Sequence, residues 1–147
     1  MAEPVTISSV PPNLNDPEER QAWRTASEAA EKFSSLFYRS LDKPGRPDLP
    51  GFYTENAILL WNGNRVESRP EVVAYWTKLP RSQTNLHTLS AQPIQKAISG
   101  GSSLVMVNVF GTIKFDGNPS KTFSETFFLI QESNLWRVQS DTFRFIE

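Results

Sequence analysis

The sequence of 147 residues has no cysteine and a single histidine, His87. Without thiols there is no disulfide, no thiolate metal site and no cysteine nucleophile. A lone imidazole likewise removes the serine-histidine pairs and histidine clusters on which much hydrolytic and metal chemistry rests. These absences suit a reducing compartment. Excess charge of one sign is missing too: 15 Lys and Arg stand against 16 Asp and Glu, a net charge of -1. The chain therefore lacks the broad basic field that binds phosphate backbones, and any contact with nucleic acid would be local or supplied through a partner. No stretch approaches the ~20 apolar residues of a membrane-spanning helix, and Met1-Ala2-Glu3-Pro4 has neither the basic flank nor the apolar run of a secretory signal. The expectation is a soluble intracellular protein with no membrane contact.

What is present is material for one core. Leu, Ile, Val and Phe make up 38 residues, above the level at which chains stay disordered, and the length suits one domain. Residues 1–15, with Pro4, Pro11 and Pro12 among Ser and Asn, read as a flexible tail or extended arm, and 16–147 as the domain. Asp16-Pro17-Glu18-Glu19 sets a capping acid, a first-turn proline and further acids at the positive end of a helix. Trp23, Ala26, Ala30, Phe33, Phe37 and Leu41 continue it at steps of three and four. Pro44, Gly45, Pro47 and Pro50 end that helix, with a short helical turn expected around Phe52-Tyr53. Ala57 to Trp61 and Asn64 to Ser68 flank Asn62-Gly63 and predict a hairpin. Ser68-Arg69-Pro70-Glu71 reads as a second capping box, opening a helix that Pro80 closes. Strands are then expected over Asn85–Ile94, Leu104–Phe115, Thr122–Gln131 and Leu135–Phe145, with turns at Gly100-Gly101, Asp116-Gly117-Asn118 and Ser133-Asn134. The fold class is α+β: a curved antiparallel sheet packed on one face by helices.

Alternation along the strands sorts side chains onto two faces. Val105, Val107, Val109, Phe123, Phe127, Leu129 and Phe143 form the core side. The other side should be polar in a sheet covered once. Instead it mixes Met106, Phe110, Phe128, Ile130, Val138 and Trp136 with Asn108, Thr126, Thr142 and Arg144, the composition of a buried protein interface. The alternative is a face covered by the tail or a loop, with Arg144 solvated at its edge. Glu125 and Asp141 alternate with core phenylalanines and point inward. Either they accept hydrogen bonds from Tyr, Trp or backbone donors, or they act as carboxylate bases of raised pKa in an apolar cavity. His87 lacks companion ligands for a metal, and Lys78, Arg81 and Lys96 read either as a small basic patch for RNA or, as scattered charges usually do, as a solvated face.

The chain resembles the nuclear transport factor 2-like superfamily, whose fold is a cone of curved sheet closed by helices. The matches are Leu60-Trp61-Asn62-Gly63, Gln92-Pro93, Gly111 to Asn118 and Ser140-Asp141-Thr142-Phe143-Arg144-Phe145. Their wording is similar to the branch of small export proteins that pair with the large mRNA-export receptor. The resemblance implies a non-enzymatic subunit without cofactor, in a heterodimer with the matching domain of the large receptor subunit. It implies contact with nucleoporin FG repeats and RNA through the complex, and shuttling between nucleus, nuclear pore and cytoplasm. It also implies a partner interface at Arg144, Thr142, Asn108, Phe110, Thr126 and Phe128, with Arg144 meeting a partner aspartate. Two other activities occur on this fold: isomerases or dehydratases with an inward carboxylate, and the homodimeric import factor that binds the GTPase Ran. Of the three acids that hold Ran there, the matching positions here are Asn62, Asp116 and Asn118, so the resemblance implies no Ran binding.

Overall fold

The computed structural model describes residues 5–7, 15–94 and 103–146. The Gly100-Gly101 turn, Lys96 and the prolines of the N-terminal segment lie outside these residues. Within that segment Thr6–Ile7 forms a two-residue strand, β1. Helix α1, Pro17–Asp42, starts as its sequence requires: the Asp16 carboxylate accepts from the Glu18 N–H at 3.0 Å. A single 3-10 turn over Leu49–Phe52 leads into strand β2, Tyr53–Trp61, and then β3, Asn64–Glu67. Helix α2 spans Arg69–Lys78, and β4 Ser82–Ile94, β5 Leu104–Phe115, β6 Lys121–Glu132 and β7 Leu135–Ile146 complete the chain.

The strands form one open sheet in the order β1-β4-β5-β6-β7-β2-β3. The β4 to β7 meander is antiparallel as expected, but β2 pairs with β7 in parallel and β1 with β4 in parallel, so the sheet is mixed. The hairpin turn uses positive φ at Asn62 (46°) and Gly63 (89°), matching the twist of its strands. The capping box at Ser68 does not form. Ser68 sits at φ 79° where β3 swings into α2, and its hydroxyl makes no cap; its carbonyl accepts from Val72 instead. Register shifts at His87 and Gln139 mark β-bulges. At the first, Gly111 lies so close to β4 that a Cβ would sit 2.3 Å from the Asn85 carbonyl oxygen, so only glycine fits.

Both helices pack on one face of the sheet, where aromatic rings interlock. Phe33 and Phe37 of α1 meet Phe127 edge-on at 4.9 and 5.1 Å. Trp61 stacks on Phe143 at 4.4 Å, and Trp76 of α2 meets the same ring edge-on. Each fully buried aromatic adds roughly 1.5–3 kcal/mol of transfer free energy, and well-oriented pairs add more.

One polar side chain joins the helices to the sheet. Arg46, 4% exposed, follows the C-terminus of α1 at φ 48°. Its Nε donates to the Leu41 carbonyl at 2.8 Å. Nη1 donates to the carbonyls of Trp76 and Leu79, and Nη2 to that of Pro80 at 2.6 Å and to the Ser82 hydroxyl at 3.3 Å. Beside it Asp42 accepts from Ser82 Oγ, Thr84 N and Thr84 Oγ1 at 2.7–2.9 Å. The guanidinium thus caps the last carbonyls of both helices while Asp42 holds the start of β4. Replacing Arg46 with Met keeps the stem but strands several buried carbonyls, at a cost of ~3–5 kcal/mol. Thermal unfolding should move down by about 10 °C or more, a shift that differential scanning calorimetry will read.

Candidate partner-binding face and buried carboxyl pair

The outward face of the sheet is built in rows set by strand register. Asn108, Thr126 and Thr142 pair directly across β5, β6 and β7, and Thr126 Oγ1 donates to Asn108 Oδ1 at 2.8 Å. The next row holds Phe110, Ser124 and Arg144, and the row on the other side holds Met106, Phe128 and Ser140. The six candidate interface residues therefore fall on one side of three adjacent strands. Phe110 is 41% exposed, Arg144 is exposed, and Asn108, Thr126, Thr142 and Phe128 are half-buried. Among the described residues the Arg144 side chain has no hydrogen-bond or ion-pair partner.

Two expected members of this face are not on it. Val138 is fully buried and Trp136 packs against the core. The bulge places Phe128 opposite Ser140 but Leu129 opposite Val138, so Gln139 is the extra residue and side-chain parity flips beyond it. Conversely, Ile58 and Leu60 extend the face because β2 lies beside β7, where Ile58 pairs with Ser140 and Leu60 with Thr142. The signal for them was present: Ala57 to Trp61 is apolar without alternation, as expected of a strand buried on both faces. At the far end of the face a cleft of about 530 Å³ runs over Ile58, Leu104, Phe128 and Ile130.

The opposite face contains the inward acids. Glu125 and Asp141 are both 0% exposed. The Tyr38 hydroxyl donates to Glu125 Oε1 at 2.6 Å. The Tyr53 hydroxyl donates to Asp141 Oδ2 at 2.7 Å and itself accepts from Trp76 Nε1 at 3.0 Å. Glu125 Oε2 and Asp141 Oδ1 receive no bond from any other described donor. The two carboxyls interact with one another, which favours a proton kept on one of them. Burial, then the charge of Asp141, pushes the Glu125 carboxyl well above its usual range, while burial raises Asp141 to about 6. Near neutral pH the pair carries one charge rather than two. Burial and the adjacent acids also push both tyrosine hydroxyls up, keeping them as donors.

Both carboxyls are fully buried, and neither lines any of the three clefts described. The remaining polar candidates are local. Asn62 Oδ1 accepts from the Phe145 N–H at 2.9 Å, and Asn118 Nδ2 donates to the Asp116 carbonyl at 3.3 Å. Lys78 lies 4.3 Å from the centre of the Tyr75 ring, and His87 occupies the β4 bulge.

The profile of the nuclear transport factor 2 (NTF2) domain matches residues 29–145. Human NTF2-related export protein 2 is 35% identical over 124 residues, covering 82% of this chain and 87% of that protein. Nuclear transport factor 2 of Saccharomyces cerevisiae is 30% identical over 117 residues, covering 78% and 90%. The structure of nuclear transport factor 2 from Cryptosporidium parvum superposes with a TM-score of 0.70 at 21% identity, over 83% of this chain and 95% of that one.

The carboxyl pair makes stability depend on pH with an unusual sign. Because the folded pKa values are raised, the native state holds more protons than the unfolded one above about pH 4. The stabilisation is complete below the unfolded values and is lost as pH rises through the folded ones. Urea unfolding should show the chain more stable at pH 5 than at pH 7.5, by on the order of 1–3 kcal/mol. Glu125→Gln, which supplies a neutral donor in the same place, should flatten that slope.

Proposed function

Because this chain belongs to the nuclear transport factor 2 domain family, we propose that it is the small non-enzymatic subunit of a heterodimeric nuclear mRNA-export receptor. Its relatives include proteins named for nuclear export and nuclear transport, which supports a role in nuclear transport. In this reading the chain stabilises the matching NTF2-like domain of the large subunit, and the pair carries RNA past nucleoporin FG repeats as it shuttles between nucleus and cytoplasm.

The observation that carries the heterodimer is the outward face of β5, β6 and β7. A half-buried apolar field with a small hydrogen-bonded row at its centre is suited to a second sheet, and Arg144 stands in it without a counter-ion among the described residues. A guanidinium desolvated by a partner needs a carboxylate, preferably in bidentate geometry. A non-enzymatic role is supported by the inward acids, which are engaged with tyrosines and adjoin no described cleft. Absence of Ran binding is favoured by Asn62 and Asn118, both uncharged at the hairpin and the β5–β6 turn.

Two variants separate partner loss from fold loss. Arg144→Asp leaves the core untouched and opposes two carboxylates across the interface. Truncating one member of a buried interfacial pair costs ~2–5 kcal/mol, so affinity for the large subunit's NTF2-like domain should fall by about thirtyfold to several thousandfold. Circular dichroism should remain that of the native chain. Phe143→Ala empties a stacked core site and should cost ~3–5 kcal/mol of stability. Co-purification of Arg144→Asp with the partner at wild-type yield, or a stable homodimer of the chain by sedimentation, would overturn the reading. Calorimetry with Ran in its GDP form should give no binding heat.

A further inference from the structure

Where the start of α1 faces the end of β4 and the beginning of β5 there is a cleft of about 700 Å³. That volume is in the range of sites that take a small molecule or a few residues of peptide. Its two walls each present a half-buried tryptophan: Trp23 from α1 and Trp136 from β7, the latter turned to this side by the Gln139 bulge. Pro93 and Val105, on the same face of the sheet as Trp136, contribute apolar surface between them.

The rim is acidic. Asp16, Glu18 and Glu19 line it, and no Lys or Arg lies among the described residues that do. Helix N-termini ordinarily favour anions, but here the Asp16 carboxylate already occupies the free N–H of Glu18 and the neighbouring acids reverse the local field. An anionic ligand is therefore disfavoured. An aliphatic ligand would use the apolar surface but leave the acids unanswered. The side chain that answers both features is arginine, whose flat, weakly hydrated guanidinium stacks on indole while its charge faces carboxylates. Lysine, a compact and strongly hydrated charge, uses only the second feature.

We propose that this cleft docks an arginine-bearing segment of a cationic partner peptide, with the guanidinium held between Trp23, Trp136 and the acidic rim.

The test is calorimetric titration of the full chain with three synthetic peptides of equal length: alternating Arg and Gly, the same with Lys, and Gly with Ser. The Arg peptide should bind, with affinity falling as salt is raised. The Lys peptide should bind about two- to thirtyfold more weakly, the range of a cation–π contact, and the Gly-Ser peptide should give no heat. Trp23→Ala should weaken the Arg peptide over the same range, with helicity checked by circular dichroism. Should that variant lose its fold, the double variant Glu18→Gln with Glu19→Gln, exposed or half-exposed in the first turn, serves in its place and should weaken the Arg peptide and reduce its salt dependence. No binding of the Arg peptide overturns the proposal. So does equal binding of all three peptides, which would mark a general apolar groove, and so do equal Arg and Lys affinities with no effect of Trp23→Ala, which would mark charge attraction alone.

Discussion

The guanidinium of Arg46 is where two helices and the sheet meet. A helix leaves its last carbonyls unpaired, and two helices that end near one another leave a concentrated patch of acceptor oxygen. Here that patch is buried at the corner where α1 stops and α2 hands the chain to β4. A fork of five N–H donors serves several carbonyls from one position, which no neutral side chain does. Burial lowers the pKa of this group while Asp42 raises it, and the charge is held by acceptors on every side. With that corner fixed, the apolar stripe of α1 lies along the sheet and α2 brings Trp76 over Phe143.

The same logic of buried polarity runs through the core. An aromatic interior with two acids would be costly if each acid were ionised and alone. The tyrosine donors and the proton kept on Glu125 leave the pair with one charge rather than two, and the tyrosines tie α1 to β6 and, through Trp76 and Tyr53, α2 to β7. The acids fix which helix face lies over which strand, in a core where ring contacts alone tolerate repacking.

Much of this was legible in the strand alternation. Phe123, Phe127 and Phe143 had to share a side, which put Glu125 and Asp141 inward with them and Arg144 and Thr142 outward. The Asp16 cap and the Asn62-Gly63 turn could be read because each residue's local chemistry suffices. What escaped were features decided at a distance. Nothing near Gln139 announces a bulge, so the faces of Val138 and Trp136 inverted. Arg46 sits in a stretch of proline and glycine that reads as a surface turn, and apart from the Leu41 carbonyl its acceptors come from 30 to 36 residues further on. The parallel neighbourhood of β2 and β7 links segments with about half of the chain between them, and with it came Ile58 and Leu60.

That neighbourhood orders the events of folding. Strand β7 lies between β6 and β2, so the last strand in sequence occupies an inner place in the sheet. On a ribosome the helix-hairpin segment emerges first yet has no edge to join until Leu135–Ile146 has been made. Until then β2 and β6 both display unpaired backbone and the apolar rows destined for the interior, a state open to mispairing and to chaperones. Long-range closure of this kind slows folding, and assembly of the whole domain waits on its final dozen residues.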